Sequence, residues 1–227
     1  MSDCRCVVAS RSLLWLLLVF AAFGACLTGF LSPEWLKGGS SVQSGDTSGA
    51  RSTPHVSREI GGEQKVGPLK KCAVRQLDSV VVCLFLTWDE FESAAWKAAV
   101  VLQGGGMFVV LLALLLGVAS FWKQNLGRFN IVSIAGLMEG IAVPLLAAGL
   151  AVYPLSWSSD SVRSVCGGSA GDYDLGECSL QWAFYAMTCG ALLTLLGCLL
   201  SPRAAKACNS HLVEEKIRLG KSCICVM

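Results

Sequence analysis

Four long apolar runs divide the chain, each bounded by charged or turn-forming residues. The first, residues 12–31, reads SLLWLLLVFAAFGACLTGFL and carries no charge. Its length is about what an α-helix needs to cross a hydrocarbon core of roughly 30 Å. A cleaved signal peptide would share the positive flank of Arg5 and Arg11 and the small residues Gly24 and Ala25. The run is long for such a peptide and has no clean small-x-small site before a polar region, so a span is expected. Residues 98–122 give a second run, interrupted by Gln103 and Gly104-Gly105-Gly106, glycines that let membrane helices approach closely. Residues 131–152, with Pro144 inside, and residues 181–200 give the third and fourth.

The segments between are polar: 1–11, 32–97, 123–130, 153–180 and 201–227. Within the longest, residues 37–68 are rich in Gly, Ser and Thr, too polar to offset their ordering entropy, and are expected to form a flexible insert. The pattern then changes. Cys72-Ala73-Val74-Arg75 and Ser79-Val80-Val81-Val82-Cys83-Leu84 carry the β-branched residues of strands. Residues 89–97, DEFESAAWK, read as a helical approach to the second span, with Thr87 as N-cap and acids in the first turn. Residues 213–220 read as a short juxtamembrane helix. Tyr153, Trp157, Trp182 and Tyr185 sit beside the last two runs, where rings with one wet edge suit the headgroup level. The whole reads as an α-helical membrane protein with four transmembrane helices joined by loops.

Composition excludes the main alternatives. The chain is 54% hydrophobic with mean hydropathy +0.59, and 15% of it is charged, against about 25% in soluble domains. A net charge of +2, with no basic stripe, gives no nucleic-acid surface. The first partner is therefore the lipid bilayer. The eighteen Lys and Arg divide nine and nine between the two sides of this topology, but loops longer than about 60 residues do not set orientation. Counting short loops alone, the turn 123–130 and the termini outweigh Arg163, and both termini are expected to be cytosolic. The localisation expected is the plasma membrane or an endomembrane.

The twelve cysteines fall into three groups. Cys72, Cys83, Cys166 and Cys178 lie in the two outward loops, where an oxidising compartment permits disulfides; proximity favours one bridge within each loop over the crossed pairings. Cys26, Cys189 and Cys198 lie in spans and read as small packing residues. Cys4, Cys6, Cys208, Cys223 and Cys225 flank membrane ends on the reducing side and are candidates for S-palmitoylation. A metal site is the rival there, but C-R-C and C-I-C are too tight for zinc spacing and only His55 and His211 exist to help; no metal and no cofactor are expected.

Tyr153-Pro154, Trp157, Val162-Arg163, Cys166-Gly167, Leu175-Gly176, Cys178 and Trp182-Ala183-Phe184-Tyr185 fall in order at fixed spacing. In that respect the stretch resembles the second loop of the lipoma HMGIC fusion partner-like (LHFPL) tetraspan family, a branch of the claudin-like four-helix membrane proteins. Arg11, Ser12, Leu14 and Trp15 near the start, Trp35-Leu36 and the tail extend the likeness over most of the chain outside the insert. The resemblance implies that Pro33, Trp35-Leu36, Cys72 and Cys83 are the first-loop tryptophan and cysteine pair of the superfamily, with a small extracellular β-sheet packed on the helix bundle. It also implies an auxiliary subunit of a channel or receptor. A claudin-type structural protein of cell contacts, self-associating through its outer loops, is the alternative. The long separation of Trp35 from Cys72 tilts the reading to the first.

Glu139 lies about nine residues into the third run, where an acid facing lipid is costly. It is expected to face the bundle interior, as a hydrogen-bonded carboxyl or in a polar contact with Gln103 that fixes packing or docks a partner helix. No H-E-x-x-H and no phosphate-binding loop occurs, and four helices without an internal repeat leave little room for a transported substrate. The chain is expected to be non-enzymatic.

Overall fold

The structure, a computed structural model, describes residues 6–38, 63–74, 81–122, 125–126, 129–208 and 223–226. Cys4, both histidines, Lys123, Arg128, the expected helix at 213–220 and the middle of the expected insert lie outside these residues. Strand β1 (Cys6–Ala9) runs directly into α1 (Ser10–Leu31), and strands β2 (Leu36–Gly38), β3 (Gln64–Val66), β4 (Lys70–Val74) and β5 (Val81–Phe85) follow. A 3-10 turn (Trp88–Glu90) precedes α2 (Ala94–Ala119), and a hairpin of β6 (Asn125–Leu126) and β7 (Phe129–Asn130) leads into α3 (Ile131–Val152). The third helix continues as a 3-10 segment (Tyr153–Ser158) before α4 (Asp160–Cys166), β8 (Ser179–Leu180), α5 (Trp182–Cys208) and β9 (Cys223–Val226). Helices α1, α2, α3 and α5 are long and apolar enough to cross a membrane, making this a multi-pass membrane protein.

The chain forms two compact units. The first comprises Met1–Leu27, Leu102–Ala148 and Met187–Met227. In it the four long helices touch in a closed order. A Cβ built on Gly117 of α2 would lie 2.8 Å from Leu16 of α1, and one on Gly106 would lie 2.9 Å from Leu146 of α3. Trp15 of α1 donates its indole N–H to the Gly197 carbonyl of α5 at 3.1 Å, and Gly197 in turn abuts the Glu139 carboxyl of α3. Lipid tails are as apolar as Leu, so such helices associate by close packing rather than by hydrophobic burial. Small residues at the crossings are the physical requirement, and they stand there.

The second unit comprises Thr28–Val101 and Gly149–Ala186. Its five strands form an antiparallel sheet in the order β5-β4-β3-β2-β8. Cys72 and Cys83 stand opposite each other on β4 and β5, and Leu36 of β2 pairs with both Val66 and Leu180. Three differences from the sequence reading follow. Both ends of the segment 37–68 are ordered, because Lys37 pairs with Lys65 and Gly38 with Gln64. The approach to the second span is a 3-10 turn, in which the Thr87 N–H donates to Glu90 at 2.6 Å, and the α-helix begins only at Ala94. The connection between α3 and α5 is a folded piece with its own helix and strand rather than an open loop.

Gly117→Val tests the crossing of α1 and α2. The added Cβ alone would lie 2.8 Å from Leu16 and 3.0 Å from Trp15, and two methyl carbons extend beyond it, so the variant in detergent should unfold at lower temperature, by about 1–3 kcal/mol of overpacking strain. Differential scanning fluorimetry of the purified protein reads the shift.

Candidate functional site

The second unit is built on a chain of aromatic rings. Trp35, which is 0% exposed, donates its indole N–H to the Gly29 carbonyl at 2.6 Å. Its ring meets Tyr153 edge-on at 4.7 Å and Phe184 at 5.4 Å between centroids. From Tyr153 the contacts continue to Trp157 and Trp96, from Trp96 to Phe91, and from Phe91 to Trp88. Offset and edge-to-face pairs of this kind contribute roughly 0.5–1.5 kcal/mol each beyond their area. Tyr153 and Trp157, expected at the membrane rim, are instead buried in this core. The 3-10 segment turns them inward, and Pro154 begins that turn as a residue with a preset φ. Trp182 and Tyr185 remain exposed.

The second-loop signature residues hold one turn-rich knot. Cys166 and Cys178 form a disulfide, and the Glu177 N–H donates to the Cys166 carbonyl at 2.9 Å. Gly167 and Gly176 adopt φ of +83° and +55°, and a Cβ on Gly176 would meet the Cys166 carbonyl at 2.6 Å. Both positions require glycine, which accounts for its place beside the cysteines. The Leu175 carbonyl accepts the Cys178 N–H at 3.0 Å. Gly167-Gly168-Ser169-Ala170-Gly171 has the G-x-S-x-G spacing of a nucleophile elbow, but it follows the helix α4 and sits inside a disulfide loop. The elbow needs a strand running into a helix, so the spacing carries no catalytic reading here.

The first-loop cysteines close a second disulfide, Cys72 to Cys83, across β4 and β5. Among the described residues no strand pairs with the outer side of β5, and every residue of β5 is exposed. Beside it opens a groove of about 360 Å³ lined by Lys71, Leu84, Phe85, Leu86, Asp89, Glu90, Glu92 and Ser161. Both Glu92 oxygens accept hydrogen bonds from Ser161, at 2.8 and 2.6 Å, fastening α4 to the groove wall. Burial pulls the Lys71 ammonium below its ordinary pKa, against the opposing pull of Glu92 and Glu90.

Glu34 is the residue the sequence reading missed. It accepts a hydrogen bond from Lys65 of β3 at 2.5 Å and another from the Trp182 indole, while its carbonyl accepts the Ala183 N–H at 3.3 Å. Glu63 bridges Lys37 and Lys65, at 2.9 and 3.6 Å, relieving two lysines that stand opposite each other in the sheet. The Lys65 hydrogen bond, then that of Trp182, hold the Glu34 carboxyl below the usual carboxylate range. No spacing in the chain announces a contact that joins residues 34, 65 and 182.

Glu139 and Gln103 are both fully buried in the first unit, and their side chains have no hydrogen-bond partner among the described residues. They do not meet. Gln103 lies one turn from Gly106, which packs on Leu146, whereas Glu139 lies two turns from Leu146 in the antiparallel neighbour. The separation is about 15 Å along the helices at roughly 1.5 Å per residue. Glu139 faces the α5 backbone at Gly197 instead. Of the cysteines in spans, Cys26 is buried, while Cys189 is exposed on its helix. Cys6, Cys208, Cys223 and Cys225 lie in β1, α5 and β9, with side chains outside the described residues. Among the described residues no cluster of His, Cys, Asp or Glu is placed to hold a metal ion.

The profile of the family described as lipoma HMGIC fusion partner-like protein matches residues 11–205. The LHFPL tetraspan subfamily member 2 protein of Homo sapiens is 30% identical over 99% of this chain and 100% of its own length. The member 2a protein of Danio rerio is 31% identical over 99% and 100%. The member 4 protein of Homo sapiens is 29% identical over 49% of this chain and 44% of its own.

Two expectations test the site. A carboxyl whose pKa is lowered by folding stabilises above its unfolded value and ceases to do so as pH falls through the folded one. The melting temperature of the parent should therefore exceed that of Glu34→Gln at neutral pH, and the difference should close below the ordinary carboxylate range. Thermal melts in detergent across that range read the convergence. Glu139→Met removes a carboxyl whose two buried oxygens meet no donor at ordinary hydrogen-bond geometry among the described residues; the variant should gain about 1–3 kcal/mol. Loss of folded protein, followed by size-exclusion chromatography, would refute it.

Proposed function

The chain belongs to the lipoma HMGIC fusion partner-like family of tetraspan membrane proteins, and from that footing we propose that it is a non-enzymatic accessory subunit of a larger membrane channel or receptor. In this reading both termini are cytosolic and the sheet lies outside the cell or in the lumen. The short-loop charges support that orientation, and the two disulfides support an oxidising compartment for the sheet.

The observation that carries the reading is β5. Sheet edges in soluble proteins are short, charged or covered, because an open row of N–H and C=O groups recruits another strand. Among the described residues this edge is apolar and uncovered: Val81, Leu84 and Phe85 are 60%, 69% and 68% exposed, and Trp88 follows them. The Cys72–Cys83 bridge ties it to β4, so it presents a fixed template. The groove at its side adds Asp89, Glu90 and Glu92 against a single Lys71. The occupant that fits is an extended segment from the outer part of the partner, adding a strand to β5 and carrying a basic residue toward Asp89. Backbone pairing would supply affinity and the groove specificity.

Leu84→Glu tests this with little effect on the fold, since the side chain is exposed. Crosslinking affinity purification from cells that express the protein naturally should recover a channel or receptor subunit near one-to-one with the parent. The variant should lower that recovery about tenfold, the cost of losing one buried apolar contact of roughly 1.5 kcal/mol, at an unchanged melting temperature. Undiminished recovery would remove β5 from the interface. Recovery of the protein mainly with itself at cell borders would establish the self-associating alternative.

A further inference from the structure

Residues 6–9 and 223–226 lie side by side. Strands β1 and β9 pair in parallel, Cys6 in register with Cys223, Val7 with Ile224, Val8 with Cys225 and Ala9 with Val226. Residues in register share a face, and faces alternate along each strand. One face of this ribbon therefore holds Cys6, Val8, Cys223 and Cys225, and the other holds Val7, Ala9, Ile224 and Val226. No residue of the eight is charged. A two-stranded ribbon is marginal in water by itself, and one that is apolar on both faces needs an apolar phase. The nearest is the bilayer, because Ala9 passes without a break into Ser10, the first residue of α1.

We infer that Cys6, Cys223 and Cys225 form one S-acylation cluster, whose fatty chains hold both termini at the cytosolic membrane surface. The inference rests on the orientation proposed above. In the modification a cysteine thiolate attacks the carbonyl carbon of a fatty acyl-coenzyme A thioester. The new C–S bond forms as the bond to coenzyme A breaks, and the coenzyme leaves as a thiol with the proton the cysteine gave up. Nothing is oxidised or reduced. The pairing gives the cluster its membership. Cys6 is beside the membrane by sequence, but Cys223 and Cys225 are separated from the end of α5 at Cys208 by residues 209–222. Register with β1 is what places them at the same interface, and several chains on one face anchor far more firmly than one.

The test counts thioesters on the full-length protein in cells, in a Cys4→Ser/Cys208→Ser background, by hydroxylamine-dependent mass tagging. Three tags are expected, and none in the further Cys6→Ser/Cys223→Ser/Cys225→Ser variant. Val7→Pro removes a backbone N–H from β1 while leaving every thiol in place; it should keep the Cys6 tag and lose the two on β9. Absence of tags in the background protein would overturn the inference. So would tags released by reductant instead of hydroxylamine, which signify a disulfide, or three tags retained by Val7→Pro. Antibody access to an N-terminal epitope in unpermeabilised cells separates a failed orientation, which also overturns the cluster, from failed acylation.

Discussion

The Trp35 indole sits where three separate pieces of chain must be brought together, and the second unit depends on it. Its N–H is satisfied by Gly29 at the end of α1, its ring is wedged between Tyr153 and Phe184, and its own carbonyl accepts the Gln181 N–H at 2.9 Å. A buried indole without an acceptor would cost about 1–3 kcal/mol, so the turn after α1 and the position of the ring are set together. Leu36, the next residue, then enters the sheet as the strand partner of both Val66 and Leu180. One dipeptide thus joins the aromatic core to the sheet and the first loop to the second.

The two units follow different physics. In the second, large rings pack into a core that excludes water, as in a soluble domain. In the first, contact is set by what is missing from the side chains: Gly106 and Gly117 each stand where a side chain of the neighbouring helix approaches closer than 3 Å to the position a Cβ would take. Glu139 is tolerated there because it turns to the α5 backbone and away from lipid. The edge strand β5 and the terminal ribbon share a further property, each leaving apolar residues uncovered at a defined edge.

The sequence announced the spans well, since uninterrupted apolar length is a signal that needs no tertiary context. Residues 131–152 are α3 as the run itself is bounded, whereas α2 begins at Ala94 because Ala94-Ala95-Trp96-Lys97 continues the helix on residues that are not all apolar. Strands of two or three residues, β2, β3 and β8, are too short to display a period of two and were invisible. Glu34 looked like any loop acid because its partners lie 31 and 148 residues away. Tyr153 and Trp157 were recognised as special but misplaced, since a ring with a polar edge suits a membrane rim and an aromatic core equally until its neighbours are known. Gln103 and Glu139 were paired for being the polar residues of adjacent spans, a likeness that ignores height along the helix.

The sheet order has a consequence for how this protein tolerates change. Strands β2 and β3 are neighbours in space, with Gly38 opposite Gln64, so the chain departs and returns at adjoining backbone positions. The entropy of closing a loop between two such fixed points grows only with the logarithm of its length, about 0.6 kcal/mol for each doubling. The sheet is therefore nearly indifferent to how many residues stand between them. The first loop can lengthen, shorten or accept an inserted sequence there while Trp35, the disulfide and β5 keep their places, which makes it the position where related chains can diverge in size at least cost to the fold.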